Sequence, residues 1–124
     1  MKNYDIYSKI FCGKVGSGKT TSIINDLRKL ITKYPDIKIF IMEAFPEIKD
    51  GIKDFVSIEN ISTTLNDDID LIVVGDYVSQ NIPISLLTPY IYDKPIWFEL
   101  KTAKELEVIN HKYKSIKELK LQRL

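Results

Sequence analysis

Apolar residues along this chain form short continuous runs that alternate with stretches of helical spacing, so the pattern predicts strands and helices in turn. Ile6 to Phe11 reads as a first strand. Lys19 to Lys33 then places Ile23, Ile24, Leu27, Leu30 and Ile31 on one helical face until Tyr34-Pro35 stops it. Ile37 to Met42 is a second strand, which a right-handed crossover lays parallel to the first. Phe45 to Asp54, broken by Pro46 and Gly51, reads as a loop, and Phe55 to Ile58 as a short strand. Glu59 to Asn66 has no clear period. Leu71-Ile72-Val73-Val74 is an uninterrupted aliphatic run of the kind found in a strand covered on both faces.

Beyond Gly75-Asp76, Asn81-Ile82-Pro83 opens a short helix through Leu87, and Pro95 to Leu100 is a last strand carrying Trp97 and Phe98. Thr102-Ala103-Lys104-Glu105 has the form of a capping box, with Leu106, Ile109, Tyr113 and Ile116 as the apolar stripe of a terminal helix. The alternation predicts an α/β domain of three layers with a mostly parallel central sheet, spanning residues 1–124 as a single unit.

Charge narrows the partners only weakly. The 124 residues carry a formal net charge of +1, which makes no overall case for nucleic acid or anionic lipid. Lys112, Lys114, Lys117, Lys120 and Arg123 make the end of the chain basic, as the last turns of a solvated helix prefer. No apolar stretch approaches the roughly 20 residues of a membrane span. The one cysteine, Cys12, has no internal disulfide partner, and no charged-then-apolar leader opens the chain, so a reducing cytoplasmic setting is expected. His111 lacks a second histidine or a further cysteine with which to share a metal.

The chemistry gathers between the first strand and the first helix. Gly13-Lys14-Val15-Gly16-Ser17-Gly18-Lys19-Thr20 fits G-x-x-x-x-G-K-[ST], behind an apolar run and in front of a helical one. In such a loop glycines allow the backbone to aim its N–H groups inward, a lysine faces the terminal phosphates, and a hydroxyl meets Mg²⁺. Lys19 and Thr20 are the residues for those two tasks. Without an anion, a lysine at the start of a helix is unfavourably placed. A nucleoside triphosphate with Mg²⁺ is therefore the expected ligand, and ATP is preferred to GTP because the guanine-reading Asn-Lys-x-Asp is absent. Hydrolysis also needs an acid at the end of a neighbouring strand. Asp76 and Glu43 are the candidate catalytic acids, with Asp76 also on the metal beside Thr20.

Together these residues resemble the secretion-type ATPases of type II secretion, type IV pili and DNA conjugation. The likeness rests on Gly13 to Thr20 with Thr21 following, on Ile39-Phe40-Ile41-Met42-Glu43 with Pro46-Glu47 as an acidic box, and on Asp68-Ile69-Asp70-Leu71-Ile72-Val73-Val74-Gly75-Asp76 as a Walker B strand. Ile96-Trp97-Phe98-Glu99-Leu100-Lys101-Thr102 stands where that family has its histidine box. The resemblance covers about residues 6 to 110 and implies an ATPase core that works in a ring oligomer or a larger assembly. Three positions depart from it: Asp76 replaces a glutamate, Lys101 a histidine, and Ala44 an aspartate. These 124 residues contain no segment that resembles the family's N-terminal domain, so a minimal core is expected. Arg28 and Arg123 are the only arginines, and neither is an obvious arginine finger in cis. The expectation is a minimal Mg-ATP-binding domain with slow or partner-dependent hydrolysis. The alternative is a regulatory or assembly module that has kept binding and lost catalysis.

Overall fold

A computed structural model describes residues 4–14, 16–75, 87–91, 94–102, 104, 107 and 119–123. Its framework is a six-stranded sheet made of β1 (Ser8–Cys12), β2 (Ile39–Met42), β3 (Ile61–Ser62), β4 (Leu71–Val74), β5 (Ile96–Leu100) and β6 (Leu119–Arg123). The strands lie in the order β3-β2-β4-β5-β1-β6, and every pairing is parallel. Parallel pairing directs all strand carboxyl ends to one edge, where the loops that follow the strands collect.

Pleat alternation gives this sheet two apolar faces. Phe11, Ile39, Ile41, Leu71, Val73 and Trp97 point to the first face, where they pack with Ile23, Leu27 and Ile31 of helix α1 (Lys19–Lys33). The four-residue spacing of those helix positions makes the stripe that the sheet buries. Helix α2 (Glu47–Ile52) adds Ile48 and Ile52 to the same core. Phe11 and Trp97 meet as a tilted aromatic pair with ring centres 5.6 Å apart, and Trp97 Nε1 donates to the Tyr7 carbonyl at 2.9 Å. Ile10, Ile72, Val74, Ile96, Phe98 and Leu100 form the second face, on which Leu87 and Tyr90, around the short helix α3 (Thr88–Ile91), pack. Among the described residues no helix is long and apolar enough to cross a membrane.

The first helix and the Leu71–Val74 strand have the bounds that the pattern predicts. Three expectations fail, and two fall outside the described residues. Phe45 to Asp54 is not a loop, because α2 occupies its centre. Pro46 stands at the helix N-cap, where a missing N–H costs nothing, and Gly51 permits close approach to α1. A Cβ on Gly51 would lie 2.5 Å from Ile24 Cδ1. Phe55 to Ile58 is not a strand. Phe55 is 48% and Ile58 76% exposed, and a 3₁₀ turn covers Ile58–Asn60. The short edge strand β3 follows instead, within the stretch that showed no period.

The basic end is the third failure. Leu119–Arg123 is a strand parallel to β1, not the last turns of a helix, so Lys120 and Arg123 lie at a sheet edge. A backbone row on β1 that would otherwise be an open edge gains a partner this way. The predicted helix opening at Asn81 to Pro83 lies outside the described residues, as do Leu106, Ile109, Tyr113 and Ile116 of the terminal stripe.

Candidate functional site

Two strand-to-helix junctions, after β1 and after β2, meet at the carboxyl edge of the sheet and line one cleft of about 490 Å³. The first is the glycine loop. Gly13 N donates to the Leu100 carbonyl at 3.1 Å, so the loop leaves β1 while still attached to β5. A turn follows in which Ser17 N donates to the Lys14 carbonyl at 3.1 Å. Gly16 (φ 82°) and Gly18 (φ 90°) take the left-handed conformation that side chains oppose. Gly18 is the N-cap of α1, whose first turn has no side-chain cap and no acidic residue. The early N–H groups of this helix therefore receive no carboxylate from its own first turn.

Lys19 is only 7% exposed, and its Nζ donates to the carbonyls of Gly13 and Lys14, the latter at 3.0 Å. Its charge is thus held inside the curve of the loop. Ser17 Oγ is a buried polar atom without a hydrogen-bond partner among the described residues. Thr20, in the first turn of α1, donates from Oγ1 to Glu99 Oε2 at 2.9 Å. Gly16, Gly18, Lys19, Thr20 and Thr21 all border the cleft, as do Glu99 and Lys101 from the other side of the loop. Val15 and Asp76 lie outside the described residues. Gly75, immediately before Asp76, lines the cleft and donates its N–H to the Met42 carbonyl at 2.8 Å.

The second junction closes on itself. Glu43 extends from the end of β2 and accepts from Ile48 N at 2.9 Å with one oxygen and from Lys49 N at 3.1 Å with the other. Those are the second and third N–H groups of α2, which ordinarily need a cap. Burial pushes the Glu43 carboxyl up from its ordinary value, while the two N–H bonds and the charge of Lys49 pull it partly back. Glu43 borders the cleft, but its carboxylate is engaged by a helix N-terminus.

Other expected or plausible participants are also fixed by structure. Arg28 donates from Nε to the Gly51 carbonyl at 3.0 Å and lies 4.5 Å from the Phe55 ring centre, tying α1 to α2. Asp70 accepts from Lys38 N at 2.8 Å, which joins β4 to the start of β2. Cys12 is a free thiol whose Sγ lies 3.7 Å from the Thr102 carbonyl. Among the described residues there is no group of three or more His, Cys, Asp or Glu side chains able to hold a metal ion. A divalent ion such as Mg²⁺ needs no such cage, since it keeps several waters and takes only one or two protein ligands. The hydroxyl of Thr20 and the carboxylate of Glu99 are an oxygen pair of that type.

Glu99 is the site residue that motif reading missed. An acid stands inside the otherwise apolar Ile96-Trp97-Phe98-Glu99-Leu100 run, and a buried acid needs a partner. That anomaly was the available signal. No family model matches the sequence, and no curated protein aligns with it significantly.

Proposed function

We propose that this chain is a three-layer P-loop domain that binds Mg-ATP, similar to the core of a secretion, pilus or conjugation motor ATPase, with weak or partner-dependent hydrolysis. The observation that carries the reading is the glycine loop itself. It opens a helix that lacks its own acidic cap, holds a nearly buried ammonium in its curve, and faces a cleft outside the carboxyl ends of parallel strands. An anion with several oxygens completes each of these features at once. Lys19 is the phosphate-facing cation, and the N–H groups of Gly16, Gly18, Lys19 and Thr20 would form the cradle, since those of Gly13 and Ser17 are held by the Leu100 and Lys14 carbonyls. Thr20 is the hydroxyl that Mg²⁺ would meet. That ion would supply charge neutralisation of the phosphates, while the chain's own residues orient them.

A second reading, a nucleotide-binding regulatory or assembly module without turnover, is favoured by one contact. The carboxylate of Glu43 holds the N-terminus of α2, which removes a free acid from the cleft. In either case the ligand is the same, and work in a ring oligomer or a larger cytoplasmic assembly belongs to the family resemblance.

Thermal unfolding with Mg-ATP, Mg-GTP and Mg-ADP tests the ligand. ATP should raise the midpoint more than GTP, and Lys19→Ala should abolish the rise through loss of a charge-assisted contact. An equal shift in Lys19→Ala would place the nucleotide elsewhere. Turnover measured across protein concentrations, beside Asp76→Ala, then separates a motor core from a binding module.

A further inference from the structure

We infer that Glu99, rather than only the acid that follows β4, is the positioning residue that makes nucleotide binding depend on magnesium. The inference rests on the nucleotide reading above and deepens it. Thr20 Oγ1 has a single proton, and that proton goes to Glu99 Oε2 at 2.9 Å. The hydroxyl is thereby fixed in rotation, with its lone pairs turned away from the carboxylate and available to a cation. A hydroxyl free to rotate would present its proton to that cation for part of the time.

Three observations join in this placement. The first is topology: β5 lies between β1 and β4, so an acid on β5 is one strand from the loop's parent strand, about 5 Å, while the strand leading to Asp76 is two strands away, about 10 Å. Register is the second. Glu99 pairs with Phe11 across the β1–β5 ladder and shares the α1 face with Phe11 and Trp97, which directs it toward the first turn of α1. The third is burial. Glu99 is 8% exposed on an otherwise apolar strand, a place where a buried acid is held by polar partners such as Thr20. The cleft bordered by Thr20, Lys19 and Glu99 is open to a cation.

The chemical class follows from the donors. A neutral hydroxyl and a carboxylate select a hard divalent ion that arrives with phosphate oxygens and retains its water, as Mg²⁺ does. Carboxylates that orient metal ligands typically change metal affinity by roughly 10- to 100-fold when removed.

The test is a pair of titrations of the full chain with a fluorescent ATP analogue, one in EDTA and one in Mg²⁺. Wild type should bind more tightly with Mg²⁺. Glu99→Gln keeps an acceptor for Thr20 but loses the charge, so it should match wild type in EDTA and lose about tenfold or more in Mg²⁺. Thr20→Val should lose the same increment, and the double variant should lose no more than either single one, because both act on one ion. Equal weakening of Glu99→Gln in both buffers would make Glu99 a support of the loop and overturn the inference, as would no change in either. If Glu99→Gln fails to fold, the decision passes to Thr20→Val: an undiminished magnesium increment there would also overturn it. Absence of wild-type binding in both buffers would instead remove the nucleotide reading and this inference with it.

Discussion

The junctions after β1 and β2 are alike in position and opposite in chemistry. Each leaves the carboxyl end of a parallel strand, borders the same cleft and starts a helix on the same face of the sheet. At the second, the chain supplies its own anion: Glu43 bonds Ile48 N and Lys49 N, and Glu47 and Asp50 add acid to the first turn. At the first, α1 begins with a glycine N-cap, no acid in its first turn, and a lysine where the helix dipole is least favourable to a cation. A helix start that provides its own carboxylate is complete. One that brings a cation and no carboxylate of its own is the start that the proposed anion would complete.

Exchanging these properties breaks or sharpens the contrast. The largest effect belongs to Lys19→Ala: with Mg-ATP about a hundredfold above its dissociation constant, wild type should gain about 2.7 kcal/mol of stability that the variant lacks. Calorimetric or fluorescence melts measure the difference. Next is Glu43→Ala, which removes the acceptor of Ile48 N and Lys49 N and should lower stability by roughly 0.5–2 kcal/mol in urea unfolding. The ATP-induced gain should survive in that variant. Its disappearance would show that Glu43 acts on the ligand, and the two junctions would no longer be distinct in role.

Thr21→Asp tests the converse. Thr21 is exposed at the third position of α1, so a carboxylate there supplies the acid that this helix lacks. Without ligand the variant should be more stable by about 0.3–1 kcal/mol, and the Mg-ATP shift should shrink because the new charge repels phosphate. A shift that grew would contradict the phosphate assignment.

The smallest effect is pH dependence at Glu43. Its carboxyl is raised above the ordinary value by burial, so the folded state holds this proton more tightly than the unfolded chain does. The stabilisation linked to that proton is present below the unfolded-state value and is lost as pH rises through the folded-state value. Glu43→Gln does not titrate. Subtracting its unfolding free energy from that of wild type at successive pH values should therefore leave a difference that declines as pH rises across this window. A difference that increased would mean that the N–H bonds of α2 outweigh burial.

How much of this was legible beforehand varied with the range of the interaction. Helix α1 was readable from its own residues, since Ile23, Leu27 and Ile31 repeat on one face and Tyr34-Pro35 ends the run. The Leu71–Val74 strand was equally plain, because four aliphatic residues in succession suit a strand buried on both faces. Helix α2 was hidden: Pro46 and Gly51 signal a break locally, while Glu43 and the close packing on Ile24 stabilise a helix. In β6, the alternation of Leu119 and Leu121 was outweighed by the basic residues before and between them, which read as a helix end.

By itself, then, the sequence determined the glycine loop, the helix behind it and the strands at Ile39–Met42 and Leu71–Val74, because those depend on neighbours within a few positions. Only the tertiary structure decided that β5 lies between β1 and β4, that Glu99 reaches Thr20 across 79 positions of chain, and that the Glu43 carboxylate accepts from the first N–H groups of α2 behind its Pro46 N-cap. The physical reason is that a buried carboxylate has no preferred partner in the linear chain. Its partner is whichever donor the strand order brings within about 3 Å.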